Sequence, residues 1–202
     1  YPFLVLHMQL YPYQSEAISA LWQFWKDNPQ GRPLIVAPTG SGKSVILSAI
    51  ITRISNSNRF PRFRFLIATH SRKIVSQNAK ELQGLLPTEP IGIYSAGLNQ
   101  KTIRRITFAN VQSIYKKQVE CDMLIIDEAH LISRDESSMY QKLISMLLKQ
   151  NPRLCIMGLT ATPMRMDQGS LVAEGSIFTD IAYNIPIREL IENGYLSSII
   201  SK

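Results

Sequence analysis

Apolar residues along the chain alternate between helical spacing and short continuous runs. Ile18, Leu21, Trp22 and Trp25 repeat at helical spacing behind Pro12, a residue suited to a first helical turn, until Asn28-Pro29-Gln30-Gly31 breaks the pattern. A first amphipathic helix is predicted there. Leu34 to Ala37 is a short apolar run ending at Pro38-Thr39-Gly40-Ser41-Gly42, after which Ile46, Ala49, Ile50 and Ile54 form another helical face. The reading is strand, glycine-rich turn, helix. Phe63 to Ala68 then predicts a strand and Arg72 to Leu82 a helix, followed by strands over Ile91–Tyr94, Arg104–Phe108, Met123–Ile126 and Leu154–Leu159. Met139, Leu143, Met146 and Leu147 mark a helix between the last two. The tail from Ile187 reads as a short helix ended by Gly194 and then an extended exit.

Continuous apolar strands such as Leu124-Ile125-Ile126 suit a sheet buried on both faces, and strands alternating with helices favour parallel pairing with right-handed crossovers. The predicted class is α/β, a doubly wound, mostly parallel sheet with helices on both faces. Phe60, Phe63 and Phe65 alternate about a strand and are expected in the core.

Composition excludes several alternatives. With 202 residues, 45% hydrophobic and 18% charged, the chain has the profile of an ordinary globular domain rather than a disordered or fibrous one. No apolar run approaches the ~18 residues that a bilayer-spanning helix needs. Cys121 and Cys155 sit apart in apolar stretches, so neither a disulfide framework nor a zinc cluster is expected. A reducing, cytoplasmic setting follows, nucleoid-associated in a bacterium.

The net charge of +7 is unevenly placed. Six basic residues and no acidic one lie between Arg59 and Lys80, and five more, again without an acid, between Lys101 and Lys117. From Glu120 to Glu136 six acids face Arg134 alone. Such runs are ordinarily solvated faces, and a polyanion-binding role depends on the chemistry beside them.

That chemistry begins with Ala37-Pro38-Thr39-Gly40-Ser41-Gly42-Lys43-Ser44, a phosphate-loop motif with Ala37 in place of its first glycine. Glycines let backbone N–H groups curl around phosphate oxygens, Lys43 reaches the terminal phosphates and the Ser44 hydroxyl suits Mg²⁺. Asp127 and Glu128 follow a hydrophobic strand, at the sheet edge where doubly wound folds bind ligands. Asp127 is suited to holding Mg²⁺ and Glu128 to polarising the water that attacks the γ-phosphate.

Gln14, the APTGSGKS loop (37–44), Asp127-Glu128-Ala129-His130 and Thr160-Ala161-Thr162-Pro163, in that order, resemble the first RecA-like domain of superfamily 2 helicases, of the DEAD/DEAH-box kind. Finer stretches (Leu10–Gln14, Ser95–Leu98, Phe108–Ser113, Gly158–Pro163 and Glu192–Leu196) look most like RadD, a bacterial DNA-repair protein, and related phage or bacterial ATPases. The resemblance implies a RecA-like P-loop NTPase fold over 10–202, residues 1–9 being an N-terminal extension or tag remnant. It implies ATP and Mg²⁺ as ligands, and a second RecA-like domain outside these residues.

It also implies roles residue by residue. Gln14 reads adenine, although by itself it looks like a surface helix residue, and Tyr11, where relatives often carry Arg, offers a ring for stacking. His130, Thr160 and Thr162 couple nucleotide state to grip. Thr69, His70, Ser71, Arg72, Lys73, Gly97, Asn110, Gln112 and Ser113 lie in the segments that hold the nucleic-acid backbone, with Lys73 where the family commonly has Glu. The implied protein is a monomeric, DNA-directed helicase or translocase with no membrane partner, working in DNA repair or recombination. Two other readings stand beside it: an RNA-directed remodelling ATPase, and the motor subunit of a restriction complex.

Overall fold

The computed structural model describes residues 9–132, 134–165 and 169–197. The expected N-terminal extension, except for its last residue, and the end of the extended exit lie outside the described residues.

In chain order the elements are α1 (Pro12–Asp27), β1 (Pro33–Val36), α2 (Lys43–Ser55), β2 (Phe65–Thr69), α3 (Arg72–Leu85), β3 (Ile91–Ser95), β4 (Gln100–Lys101) and β5 (Ile106–Asn110). They continue with α4 (Val111–Ile114), β6 (Met123–Ile126), α5 (Arg134–Gln150), β7 (Cys155–Thr160), β8 (Met164–Arg165), β9 (Gly169–Ser170), β10 (Asp180–Asn184) and α6 (Ile187–Glu192). Eight strands form one sheet in the order β10-β1-β7-β6-β2-β5-β3-β4, in which the β3–β4 pair alone is antiparallel.

Alternation within the strands divides the core into two layers. Ile35, Phe65, Ile67, Phe108, Ile125 and Leu159 pack under α1, α2, α3 and α6. Leu34, Leu66, Ala68, Leu124, Ile126 and Ile156 pack under α4 and α5. Helices therefore cover both faces, as the continuous apolar strands predicted. Gly158 on β7 belongs to this packing, since a Cβ there would lie 2.4 Å from the buried Phe178 ring and 2.7 Å from Leu34 Cδ1.

Several features differ from the sequence reading, short β4 and α4 among them. Phe60 is not core: it is 46% exposed, touching Phe63 edge-on, and of the three phenylalanines only Phe65 is fully buried. The strand there begins at Phe65 because the Arg64 backbone N–H is drawn aside to Asp122 Oδ2 at 2.8 Å. Edge strand β10 pairs in parallel with β1 although its polar ends and short apolar middle gave no strand signal. A small antiparallel β8–β9 pair stands outside the main sheet.

Parallel pairing brings the carboxyl ends of β1, β2, β3, β5, β6 and β7 to one edge of the sheet. Thr69 is level with Asn110, and Val36 with Thr160.

Candidate nucleotide site and adjoining basic face

Beyond β1 the backbone turns within the span of the predicted phosphate loop. Ala37 N–H donates to Thr160 O at 2.7 Å, tying the loop to β7, and both the backbone N–H and the hydroxyl of Ser41 donate to Pro38 O. Gly40 (φ +86°) and Gly42 (φ +78°) take left-handed backbone that favours glycine. Space enforces the same choice, because a Cβ on Gly42 would lie 2.6 Å from Gln14 Nε2 and one on Gly40 2.8 Å from Leu196 Cδ2. Helix α2 starts at Lys43 with no side chain capping it, which leaves first-turn N–H groups for an anion.

Lys43 Nζ donates to Ala37 O at 3.2 Å and lies 3.6 Å from Glu128 Oε1. It lines a cavity of about 320 Å³ together with Thr39, Gly40, Gly42, Ser44, Asp127 and Glu128, the predicted phosphate- and metal-holding set. Pro38 and Ser41 form the buried back of the loop. A larger groove of about 460 Å³ between Arg64, Glu120, Cys121 and Asn151 has neither a glycine loop nor a pair of adjacent carboxylates among its lining residues.

Asp127 is 4% exposed at the end of β6. Its Oδ1 accepts from Glu128 N–H at 2.9 Å and its Oδ2 from Asn78 Nδ2 at 2.6 Å. Burial, with the Glu128 charge adding, pushes its carboxyl up to about 6, against the opposing pull of these hydrogen bonds and Lys43. A buried carboxylate short of positive charge fits a divalent cation.

Glu128 has left-handed backbone (φ +54°, ψ +47°). Its side chain runs between Lys43 and His130, with Oε2 buried, without a hydrogen bond, 3.4 Å from His130 Nδ1. An acceptor left open beside a phosphate cradle suits the proton of an attacking water.

His130 Nδ1 lies 3.0 Å from Thr160 Oγ1, which donates to Thr162 O at 2.8 Å. Because that hydroxyl proton is committed to Thr162, the assigned tautomer carries its proton on Nδ1. Desolvation lowers the His130 pKa, favouring the neutral ring. The predicted coupling residues thus form one chain from Glu128 to β7.

Gln14 and Tyr11 sit behind the loop rather than in the cavity. Gln14 is 3% exposed, so the surface-residue reading of it fails. Its Nε2 donates to Ser41 O and its Oε1 accepts from Tyr11 N–H, both at 3.0 Å, committing both ends of the carboxamide to the protein. Tyr11 is 53% exposed and stacks on Tyr13 (5.8 Å, 15°), with Tyr195 against both rings. Tyr13, whose hydroxyl also donates to Ser41 O, and Tyr195 lie within stretches that carry the resemblance, but their contacts here are made only by folding across the chain.

The basic face adjoins this cavity. Asn110 Nδ2 donates to His70 O at 2.7 Å, Ser113 Oγ accepts from Ala96 N–H at 3.0 Å, and Ser71 caps α3 through Ile74 N–H. A Cβ on Gly97 would lie 2.3 Å from Arg72 Cδ, so this glycine provides the seat for Arg72. The three predicted segments are thereby joined. Arg72, Lys73, Gly97 and Gln112 are exposed, whereas Thr69 and Asn110 are buried and act as supports. Ile74, Gln77 and Asn78 of α3 also line the cavity that holds Lys43, Asp127 and Glu128. Their helical spacing from Ile74 was the available sequence signal.

Among the described residues no helix is long and apolar enough to cross a membrane. The family described as type III restriction enzyme, res subunit, matches residues 7–165. The chain is 30% identical over 189 residues to putative helicase 22 of Sulfolobus islandicus filamentous virus, covering 85% of this chain and 31% of that protein. It is 29% identical over 199 residues to the type I restriction enzyme EcoAI endonuclease subunit of Escherichia coli, covering 92% and 23%. The chain therefore spans less than a third of the length of either relative. Its fold resembles a nuclease-deletion mutant of the type ISP restriction-modification enzyme LlaGI, solved with a DNA substrate mimic, at a TM-score of 0.68 and 18% identity over 93% of this chain and 21% of that one.

Proposed function

Because the chain belongs to the type III restriction enzyme res subunit family, we propose that it is the ATP-binding motor domain of a DNA-directed superfamily 2 helicase or translocase. The observation that carries this reading is the meeting of Lys43, Asp127 and Glu128 in one cavity beside the Gly40–Gly42 cradle. Backbone N–H groups of the loop and Lys43 hold the phosphates. Ser44 and Asp127 hold Mg²⁺, which when bound neutralises charge on the phosphate oxygens. Glu128 takes the proton of the attacking water, while His130, Thr160 and Thr162 report occupancy to β7. Gln14 and Tyr11 bear on the base, with Gln14 turning from its present partners to do so.

DNA lies along Ser71–Lys73, Gly97 and Gln112–Ser113, held through its phosphates and so without sequence preference. Thr69, His70 and Asn110 shape that surface from beneath. A second RecA-like domain of the same protein completes the cleft and supplies cationic groups for the γ-phosphate. The whole protein acts as a cytoplasmic monomer. A place in DNA repair or recombination rests on the likeness of the shorter stretches to RadD. The restriction-motor reading is favoured by the family and the EcoAI relative, and it predicts a nuclease domain or partner acting with this motor.

ATPase assays on the full-length protein with duplex DNA, single-stranded DNA and RNA test the proposal. Stimulation by DNA is expected. Strict dependence on RNA would replace it with the RNA-directed reading.

A further inference from the structure

Helix α3 has a different task at each end. Its first residues, Arg72 and Lys73, are exposed on the basic face, whereas Ile74, Gln77 and Asn78 turn into the nucleotide cavity. Asn78 is 7% exposed, and among the described residues it is the side chain that hydrogen-bonds Asp127, at 2.6 Å. The other carboxylate oxygen is fixed by the Glu128 backbone. Held at both oxygens, the carboxylate is restrained about its last torsion beside the cavity that it lines with Lys43 and Ser44.

We propose that Asn78 is a positioning residue for the metal site: its carboxamide fixes the orientation of the Asp127 carboxylate and thereby sets how tightly a divalent cation binds beside the nucleotide. The inference rests on the reading of Asp127 as a metal-holding group. Removing the donor would leave a buried acceptor unpaired and let the carboxylate turn. Outer partners of ligating groups commonly influence metal affinity about 10- to 100-fold. Asn78 lies 49 positions from Asp127 in sequence, and its role follows from the packing of α3 on the sheet edge.

The test is a Mn²⁺ titration of the chain with a non-hydrolysable ATP analogue, read by loss of the aqueous Mn²⁺ paramagnetic resonance signal. A parallel titration measures analogue affinity in chelator. Asn78→Leu, which keeps the branching at Cγ without the donor, should need roughly tenfold more Mn²⁺ for half-occupancy, with metal-free nucleotide affinity unchanged. A packing defect would instead weaken both. Asn78→Ala carries the same expectation and serves should the leucine variant fail to fold. Asp127→Asn should abolish the nucleotide-dependent Mn²⁺ binding. Wild-type Mn²⁺ affinity in both Asn78 variants, beside its loss in Asp127→Asn, would overturn this proposal alone. Retained Mn²⁺ binding in Asp127→Asn would overturn the metal assignment and this proposal with it.

Discussion

Glu128 keeps a left-handed backbone that costs a non-glycine residue about 1 kcal/mol, and the return is a carboxylate aimed between Lys43 and His130. Its neighbour Asp127 carries an electrostatic cost instead. The folded-state carboxyl is raised from 3.8 to about 6, so its contribution to stability is fully present below the unfolded value and is lost as pH rises through about 6. Asp127→Asn should therefore stabilise the metal-free protein at pH 7 by about 1–2 kcal/mol, with little gain at pH 4. The full linkage value is not expected, because the amide offers one oxygen where the carboxylate offered two. Thermal melting in chelator at the two pH values checks this, and equal melting of variant and wild type at pH 7 would refute it. At this scale the sequence was most legible where chemistry is contiguous, as in Gly40–Ser44 and Asp127–His130. The partners of Asn78 and Tyr195 were not legible, since each is acquired only when distant elements pack together.

Among the elements, the strands buried on both faces were legible to within two residues because most of their side chains are apolar and packed in one of the two core layers. Strand β10 escaped because an edge strand with exposed ends needs no apolar pattern, and Phe60 was misplaced because an alternation was extended past the point where Arg64 leaves the ladder. Two glycines test how the elements meet. Gly158→Ala presses β7 against Phe178 and Leu34, both fully buried, and should destabilise the fold by about 1–3 kcal/mol in a denaturant titration. The nearest neighbour that Gly97→Ala meets is the flexible Arg72 side chain, so it should leave stability within about 0.5 kcal/mol while weakening DNA binding by displacing that guanidinium. Fluorescence anisotropy with labelled duplex at low salt reads the second effect. Unchanged affinity for Gly97→Ala, together with unchanged affinity after charge reversal of Arg72 and Lys73, would move the DNA face elsewhere.

For the whole molecule, the cavity is lined on one side by the phosphate loop and on the other by α3 and the end of β6. Nothing among its lining residues supplies a second cation to the γ-phosphate besides Lys43. The chain alone is expected to bind Mg·ATP yet turn it over slowly, since a cation brought by the proposed opposing domain would be worth ~10³ or more in rate. Adding that domain should restore turnover and DNA dependence, and Glu128→Gln should silence the restored enzyme. The central claim, that Lys43, Asp127 and Glu128 form an ATP-hydrolysing site, is tested most directly by equilibrium titration of a fluorescent ATP analogue with Mg²⁺ into wild type, Lys43→Ala and Glu128→Gln. Loss of the charged donor should weaken binding about tenfold or more in Lys43→Ala, while Glu128→Gln binds as wild type does. Equal affinity of Lys43→Ala and wild type would contradict the assignment.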